Sequence, residues 1–219
     1  MSRGSSSRRQ PPAFCETSWW TLSSAERHLV RHAGRGWAGE FRRPARRVTG
    51  VAELPGFTIR PATEADVPEL LGLIWDLAAY ERLTHEVVAT EESLREALFG
   101  ESPAAEALLA LADGDPAGFA VYFHTYSTFL ARRGMYLHDL YVSPAYRRRG
   151  LGTQLLRQVA AIAVERGCGR FEWVALDWNT DAHRFYEELG AEMLPEWRTF
   201  RVVGDSLRRL AEDAAGSRG

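Results

Sequence analysis

The chain has 219 residues, of which 45% are hydrophobic and 26% charged. This composition is typical of a globular protein with one sizeable core, and it excludes a fibrous, collagen-like or wholly disordered chain. All 27 basic residues are arginine, which excludes Schiff-base lysine chemistry and a Walker-type phosphate site. Because the two cysteines cannot form a disulfide framework and no apolar run reaches the length of a membrane span, we expect a cytoplasmic protein that does not enter the membrane.

The charge is distributed unevenly along the chain. Residues 1–50 contain 10 arginines and 3 acidic residues, whereas residues 51–219 contain 17 arginines and 26 acidic residues. The first segment is rich in arginine and serine and lacks periodicity, so we predict a flexible extension; an organellar transit peptide or a nucleic-acid- or partner-binding arm are the alternatives. We predict one domain over 51–219, whose acidic balance favours a cationic small molecule over nucleic acid.

Strands and helices alternate from residue 57 onward. The predicted strands, in chain order, are 57–60, 107–112, 118–124, 135–142, 171–176 and 199–203. Helical periodicity or capping residues predict helices over 67–78, 91–98, 151–163, 180–189 and 206–214. This alternation predicts an α/β protein with a mixed sheet covered by helices on both faces.

A glycine- and arginine-rich turn connects the strand at 135–142 to the next helix. Its sequence is Arg147-Arg148-Arg149-Gly150-Leu151-Gly152-Thr153. Glycine lets backbone amides turn toward an anion, and a helix N-terminus adds about half a positive charge. The spacing matches neither a Walker motif nor GxGxxG, and a solvated basic turn is the alternative. The segment is therefore a candidate phosphate-binding turn.

The pattern Arg147-x-x-Gly150-x-Gly152 behind the strand at 136–142 resembles motif A of the GNAT acetyltransferases. Further segments are similar to the branch that contains diamine and polyamine (spermidine/spermine) N-acetyltransferases and thialysine acetyltransferases, namely 59–63, 79–81, 125–128, 177–179, 185–191 and 197–198. The resemblance covers about residues 57–203. It implies a mostly antiparallel sheet, splayed at a central strand and flanked by helices on both faces.

The resemblance also implies the activity. We expect an acyltransferase that moves the acetyl group of acetyl-CoA to a primary amine of a small molecule, by direct attack in a ternary complex. The resemblance also implies a homodimer. The residues themselves indicate no metal, because His124 and His183 are too scattered for a metal site. The acidic balance and the lack of a long apolar run predict neither a nucleic-acid nor a membrane partner. A protein N-acetyltransferase and a catalytically weakened acetyl-CoA-binding module are the alternative functions.

Cofactor-binding residues follow from the same resemblance. The backbone of Arg147, Arg148, Arg149, Gly150, Leu151, Gly152 and Thr153 would hold the pyrophosphate, and that of Leu140, Tyr141 and Val142 would pair with the pantetheine. Asn179 would contact the pantetheine arm, although asparagine is also a favoured helix N-cap. Tyr186 would border the cofactor and protonate the departing thiolate; a core aromatic is the alternative, because Tyr186 lies on the apolar face of its predicted helix.

The chain departs from the family pattern at the position assigned to the catalytic base. The usual Glu-Asp pair is His138-Asp139 here, which places an imidazole where the glutamate is expected. An imidazole can accept a proton at neutral pH, so His138 is the candidate base. Strand alternation predicts that His138 and Asp139 point to opposite faces, and a structural histidine is the alternative.

Carboxylates near the acceptor site are expected to recognise a cationic amine. Tyr80 and Glu81 match the family pattern, and Glu86 and Asp139 are further candidates; a solvated helix face is the alternative for the three acids. A family aspartate and tryptophan are replaced by Ser127 and Phe129, as in the thialysine-type sequences, which favours an acceptor shorter than a long polyamine.

Overall fold

The computed structural model describes residues 52–216, so the predicted extension at 1–50 lies outside the described residues. The described residues divide into two compact units, one that ends at Trp173 and one that begins at Val174. The first contains a six-stranded sheet and three of the described α-helices, and the second contains two.

The sheet follows the order of the sequence. Its strands are β1 (Ala52–Leu54), β2 (Phe57–Pro61), β3 (Glu106–Ala112), β4 (Asp115–Ser127), β5 (Arg132–Val142) and β6 (Phe171–Glu172). Neighbouring strands from β1 to β5 are antiparallel, whereas β6 joins β5 in parallel. The predicted mixed, mostly antiparallel sheet is therefore confirmed.

In the first unit, three helices cover both faces of the sheet, as expected. They are α1 (Val67–Glu81), α2 (Glu91–Phe99) and α3 (Leu151–Glu165), with short 3-10 turns at Glu64–Asp66, Thr84–Glu86 and Pro144–Tyr146. The second unit contains α4 (Thr180–Glu188) and α5 (Gly204–Gly216). α1 and α2 bury leucines against alternate residues of β3, β4 and β5, where Phe119 is 0% exposed. α3 packs against β4 and β5 and buries its own leucine and valine face. Because successive side chains of a strand point to opposite faces, α3 covers the strand residues that alternate with those facing α1 and α2.

Local capping explains why α1 and α2 begin where they do. The Asp66 carboxylate accepts hydrogen bonds from the Thr63 backbone and from the guanidinium of Arg60. Thr90 accepts a hydrogen bond from the Ser93 amide and so caps α2. Pro68 lies in the first turn of α1, where its missing N–H has no intrahelical acceptor.

The ladder between β4 and β5 contains a bulge. Val121 pairs with Asp139 and Tyr122 with Leu137, which leaves His138 as the extra residue of β5. The bulge shifts the alternation of side chains by one position, so that Tyr136 lies opposite Phe123 and Tyr141 opposite Phe119 on one face.

Two predicted strands differ from the structure. The strand predicted at 171–176 is confined to Phe171–Glu172. The boundary between the two units lies just after it in sequence, between Trp173 and Val174. The residues at 199–203 form no strand; within the described part of the chain no neighbouring strand pairs with them, and Phe200 is 91% exposed. The hairpin of β1 and β2 across Pro55 and Gly56 was not predicted.

Candidate active site

The predicted phosphate-binding turn has the geometry of an anion site. Gly150 is the N-cap of α3 with a φ of 82°, has no side chain to cap the helix, and precedes a first turn without acidic residues. Arg148 also adopts a left-handed φ, 58°. Because the first amides of a helix lack intrahelical acceptors, they are available to an anion. The turn lies exposed from Arg147 to Gly150, so its amides are accessible to an anionic group such as a phosphate.

Two of the three arginines in the turn have defined side-chain contacts. Arg147 Nε donates a hydrogen bond to the Val142 carbonyl at 2.8 Å, and its Cζ lies 4.6 Å from the centroid of the Tyr80 ring. Arg149 Cζ lies 4.7 Å from the centroid of the Phe57 ring. These contacts anchor the turn to α1 on one side and to β2 on the other, so its amides are held in place.

The edge of β5 departs from its neighbour just before the candidate catalytic residues. β6 pairs only with Met135 and Tyr136, and in the described part of the chain no further parallel partner follows along β5. This is the splayed strand that the resemblance implied. Leu140 and Val142 are half-buried there, whereas the Tyr141 side chain is buried against Phe119, which leaves Tyr141 only its backbone for a cofactor.

His138 and Asp139 lie together, and the prediction that they point to opposite faces is wrong. His138 Nδ1 lies 3.1 Å from Asp139 Oδ1, with side chains 64% and 27% exposed. The bulge at His138 is the cause, because the extra residue turns both side chains toward the same face. Carboxylate oxygens accept hydrogen bonds, so this contact favours the tautomer whose hydrogen is on Nδ1. His138 also lies beside the Phe123 ring, 6.2 Å between centroids.

Glu81, at the end of α1, lies near the Asp139 carboxylate. Burial, and then repulsion by the Asp139 carboxylate, raises the pKa of Glu81 above its ordinary value. The guanidinium of Arg147 lies over the ring of Tyr80, the residue before Glu81. The structure thus brings together four of the predicted residues, Tyr80, Glu81, His138 and Asp139, around the carboxyl-terminal half of β5.

The other three predicted substrate residues are Glu86, Ser127 and Phe129. Glu86 is exposed on a 3-10 turn beside His85, at 3.5 Å. Ser127 is buried and accepts a hydrogen bond from the Leu130 amide at 3.2 Å. Since Ser127 lies six residues along β4 from the partner of Asp139, the separation is about 20 Å at the usual rise of a strand. Phe129 is exposed in the same hairpin turn.

Asn179 and Tyr186 belong to the second unit. Asn179 Oδ1 accepts a hydrogen bond from the Ala182 amide at 3.3 Å, so it caps α4. Tyr186 is half-buried, with its ring centroid 5.1 Å from that of Phe185. His183 contacts the Leu176 carbonyl at 3.0 Å and thereby ties α4 to the segment before it.

A polar cluster on the α3 side of the sheet was not anticipated. Arg166, just after α3, binds the Glu106 carboxylate and lies 3.2 Å from His124 Nε2, while Cys168 Sγ lies 3.8 Å from His124 Nδ1. Burial raises the pKa of the Cys168 thiol, which disfavours a reactive thiolate. Among residues 52–216 no group of His, Cys, Asp and Glu is arranged to hold a metal ion. Only the register of β3 against β4 would have shown that Glu106 and His124 are neighbours.

The comparison with protein families agrees with this arrangement. The model of the acetyltransferase (GNAT) family matches residues 71–191, which include most of α1, the splayed strand, the turn and α4. The chain belongs to the GNAT acetyltransferase family. This GNAT protein is an N-acetyltransferase, and enzymes of the family take the acetyl group from acetyl-CoA.

Relatives of this GNAT enzyme cover most of its described length. Thialysine N-epsilon-acetyltransferase of Sus scrofa is 40% identical over 164 residues, which span 70% of this chain and 96% of that protein. L-ornithine N5-acetyltransferase of Arabidopsis thaliana is 34% identical over 197 residues, which span 69% and 86%. An integron cassette protein from the mobile metagenome of V. cholerae has a similar structure, with a TM-score of 0.62 and 28% identity over 72% of this chain and 98% of its own.

One structural finding concerns membranes. Among the described residues, every helix falls short of the length and hydrophobicity that a membrane crossing demands.

Proposed function

We propose that this enzyme acetylates the terminal primary amine of a short diamine or of an amino acid with an amine side chain. The observation that carries the proposal is the approach of the Glu81 and Asp139 carboxylates beside His138. Two carboxylates attract a molecule with positive charge, and a third group nearby can remove a proton from its reacting nitrogen. Relatives that act on thialysine and L-ornithine support this acceptor class.

The amine is recognised by its charge. Most of a diamine is doubly protonated at neutral pH, and Glu81 with Asp139 holds the ammonium group that does not react. The reacting ammonium must lose its proton before it can attack. His138 accepts that proton through Nε2, since Nδ1 carries a hydrogen directed at Asp139.

The donor is held by the turn and by the edge of β5. Backbone amides of Gly150, Leu151, Gly152 and Thr153 bind the pyrophosphate, supported by Arg147, Arg148 and Arg149, and the backbone of Leu140, Tyr141 and Val142 aligns the pantetheine. Bound acetyl-CoA supplies a thioester carbonyl that the amine attacks, with a C–N bond formed and the C–S bond broken. Asn179 contacts the pantetheine arm, and Tyr186 protonates the departing thiolate, which prevents the reverse reaction.

Release of the CoA thiol tests the proposal. Purified enzyme is given acetyl-CoA with each of a panel of diamines, polyamines, ornithine, lysine, thialysine, monoamines and peptides with a free amine. We expect turnover with the short, doubly charged amines and a kcat lower by about 100-fold in Tyr186→Phe. Equal rates on charged and uncharged amines, or an unchanged kcat in Tyr186→Phe, would contradict it.

Absence of turnover with every acceptor, together with measurable acetyl-CoA binding, would favour a weakened binding module. Turnover confined to peptide amines would favour a protein acceptor.

We further propose that the enzyme is a cytoplasmic homodimer. The support is the apolar surface of the second unit, where Trp197, Phe200, Leu207 and Leu210 are all more than half exposed in a single chain. Exposed apolar clusters of this kind are characteristic of protein interfaces. Sedimentation analysis of the full chain should give twice the mass of one chain; a monomer at micromolar concentration would contradict the dimer.

A further inference from the structure

The side chain of Arg147 connects two regions that the proposed function assigns to different substrates. Its backbone begins the turn for acetyl-CoA, while its guanidinium lies over Tyr80 near the end of α1. Tyr80 is followed by Glu81, one of the two carboxylates assigned to the amine. The connection runs through four adjacent groups, the Val142 carbonyl, the Arg147 guanidinium, the Tyr80 ring and the last turn of α1.

The contacts of Arg147 have the geometry of a specific anchor. Its Nε donates to the Val142 carbonyl at 2.8 Å, and its Cζ lies 4.6 Å from the Tyr80 centroid and 5.6 Å from the Tyr141 centroid. Both ring distances lie within the range of a cation–π interaction. Tyr141 is a buried core residue, so the guanidinium lies between the core of the sheet and the last turn of α1.

Backbone bonds close the end of α1, where the Leu83 amide donates to the Ala78 carbonyl at 2.8 Å, and the Arg147 contact with Tyr80 adds to them. The C-cap of α1 is Arg82, which adopts a left-handed φ of 62° although it carries a Cβ. That conformation is unfavourable in a residue other than glycine. Helix ends open locally more readily than helix centres. The orientation of Glu81 therefore depends on contacts such as that between Tyr80 and Arg147.

We propose that Arg147 is a positioning residue that couples acetyl-CoA binding to the order of the α1 terminus, so that the bound donor preorganises the amine site. When an anion fixes the backbone of the turn, the guanidinium is fixed over Tyr80, and the last turn of α1 opens less often. By linkage, the amine in turn strengthens the binding of acetyl-CoA. The claim that the bound donor preorganises the amine site rests on the proposed function. The ordering of α1 requires only that acetyl-CoA binds.

Hydrogen exchange of the full chain tests the ordering directly. Exchange of the amides at 76–86 is measured without ligand and with acetyl-CoA at a concentration that saturates each variant, determined by calorimetry. In the wild type, we expect acetyl-CoA to slow this exchange about fivefold or more, the range of typical coupling energies. In Arg147→Met and in Tyr80→Leu, the slowing should fall below about twofold.

Arg149→Met is the matched control. It removes the same charge from the same turn, but Arg149 lies over Phe57 of β2, whereas Arg147 lies over Tyr80 of α1. The control should weaken acetyl-CoA binding yet keep the slowing at 76–86. Tyr80 is exposed to solvent, so Tyr80→Leu provides a folded second variant.

Three results would each overturn the proposal. Acetyl-CoA could slow amide exchange at 76–86 as much in Arg147→Met as in the wild type. The slowing could also be lost in Arg149→Met, or be absent from the wild type. The KM for the amine, measured at saturating acetyl-CoA, gives the second readout. In Arg147→Met this KM should rise, and kcat should change by a smaller factor. Failure of the proposed function would look different: slowing at 76–86 in the wild type, without turnover of any small amine, contradicts the acceptor and leaves the coupling intact.

Discussion

His138 Nδ1 lies 3.1 Å from Oδ1 of Asp139, the next residue along β5. Consecutive side chains of a regular strand point to opposite faces and do not meet in this way. The bulge between β4 and β5 makes the contact possible, and it places the pair where the strand separates from β6. Because Asp139 orients the imidazole, the pair is suited to accept a proton through the other ring nitrogen.

The pH profile of kcat/KM should report this role. His138→Gln removes the base and should lower kcat by about 100-fold. His138→Glu should restore part of the rate and move the acid limb of the profile to lower pH, since a glutamate carboxyl loses its proton about two pH units below an imidazole. An acid limb that stays in place in His138→Glu would show that another group titrates.

Glu81→Gln should raise the KM of a diamine by about tenfold, the effect of losing about 1.4 kcal/mol of ionic interaction. Only the carboxylate form attracts the ammonium, and the pKa of Glu81 is raised. In the wild type, KM should therefore increase as the pH falls toward that pKa, and Glu81→Gln should lack this increase. Initial-rate measurements across pH provide the check, with Glu92→Gln as the control because Glu92 is an exposed residue of α2.

Two glycines allow a matched test of packing. A Cβ at Gly118 would lie 2.5 Å from the Tyr141 carbonyl oxygen, whereas a Cβ at Gly72 in α1 would have no neighbour within 4 Å. Gly118→Ala should lower the free energy of unfolding by about 1–3 kcal/mol, because backbone atoms must move. Gly72→Ala should raise it by about 0.5–1 kcal/mol, the helix propensity difference. Urea titration measures both, and equal effects would contradict the close approach of β4 and β5.

The Asp66 carboxylate should contribute to stability at neutral pH and lose that contribution in acid. Hydrogen bonds from Arg60, and further bonds from Thr63, hold the pKa of Asp66 well below its ordinary range. A lowered pKa stabilises the folded state above the pKa of the unfolded chain, about 4. Asp66→Asn should cost about 2 kcal/mol at pH 7.

The difference between Asp66→Asn and the wild type should shrink as the pH falls below about 4. Urea unfolding at a series of pH values measures this difference. A gap that stays constant down to the most acidic condition would show that the ion pair with Arg60 contributes nothing.

Much of the fold and the donor turn could be predicted because both depend on residues close together in sequence. The caps Thr90 and Asn179 act on amides three residues away. A strand, a glycine with positive φ and a helix N-terminus define the turn at Gly150 within a few residues. The predicted strand at 199–203 was wrong because alternation alone does not supply a strand partner.

The sequence by itself determined which groups are available: an arginine turn without lysine, and a histidine where the family has a glutamate. Only the tertiary structure decided which of them meet. The register of β4 against β5 made His138 a bulge and turned it toward Asp139. The packing of α1 brought Glu81 to the same carboxylate and Tyr80 beneath Arg147. Such contacts depend on the ladder between strands and on helix packing, which join residues dozens of positions apart and leave no local pattern in the chain.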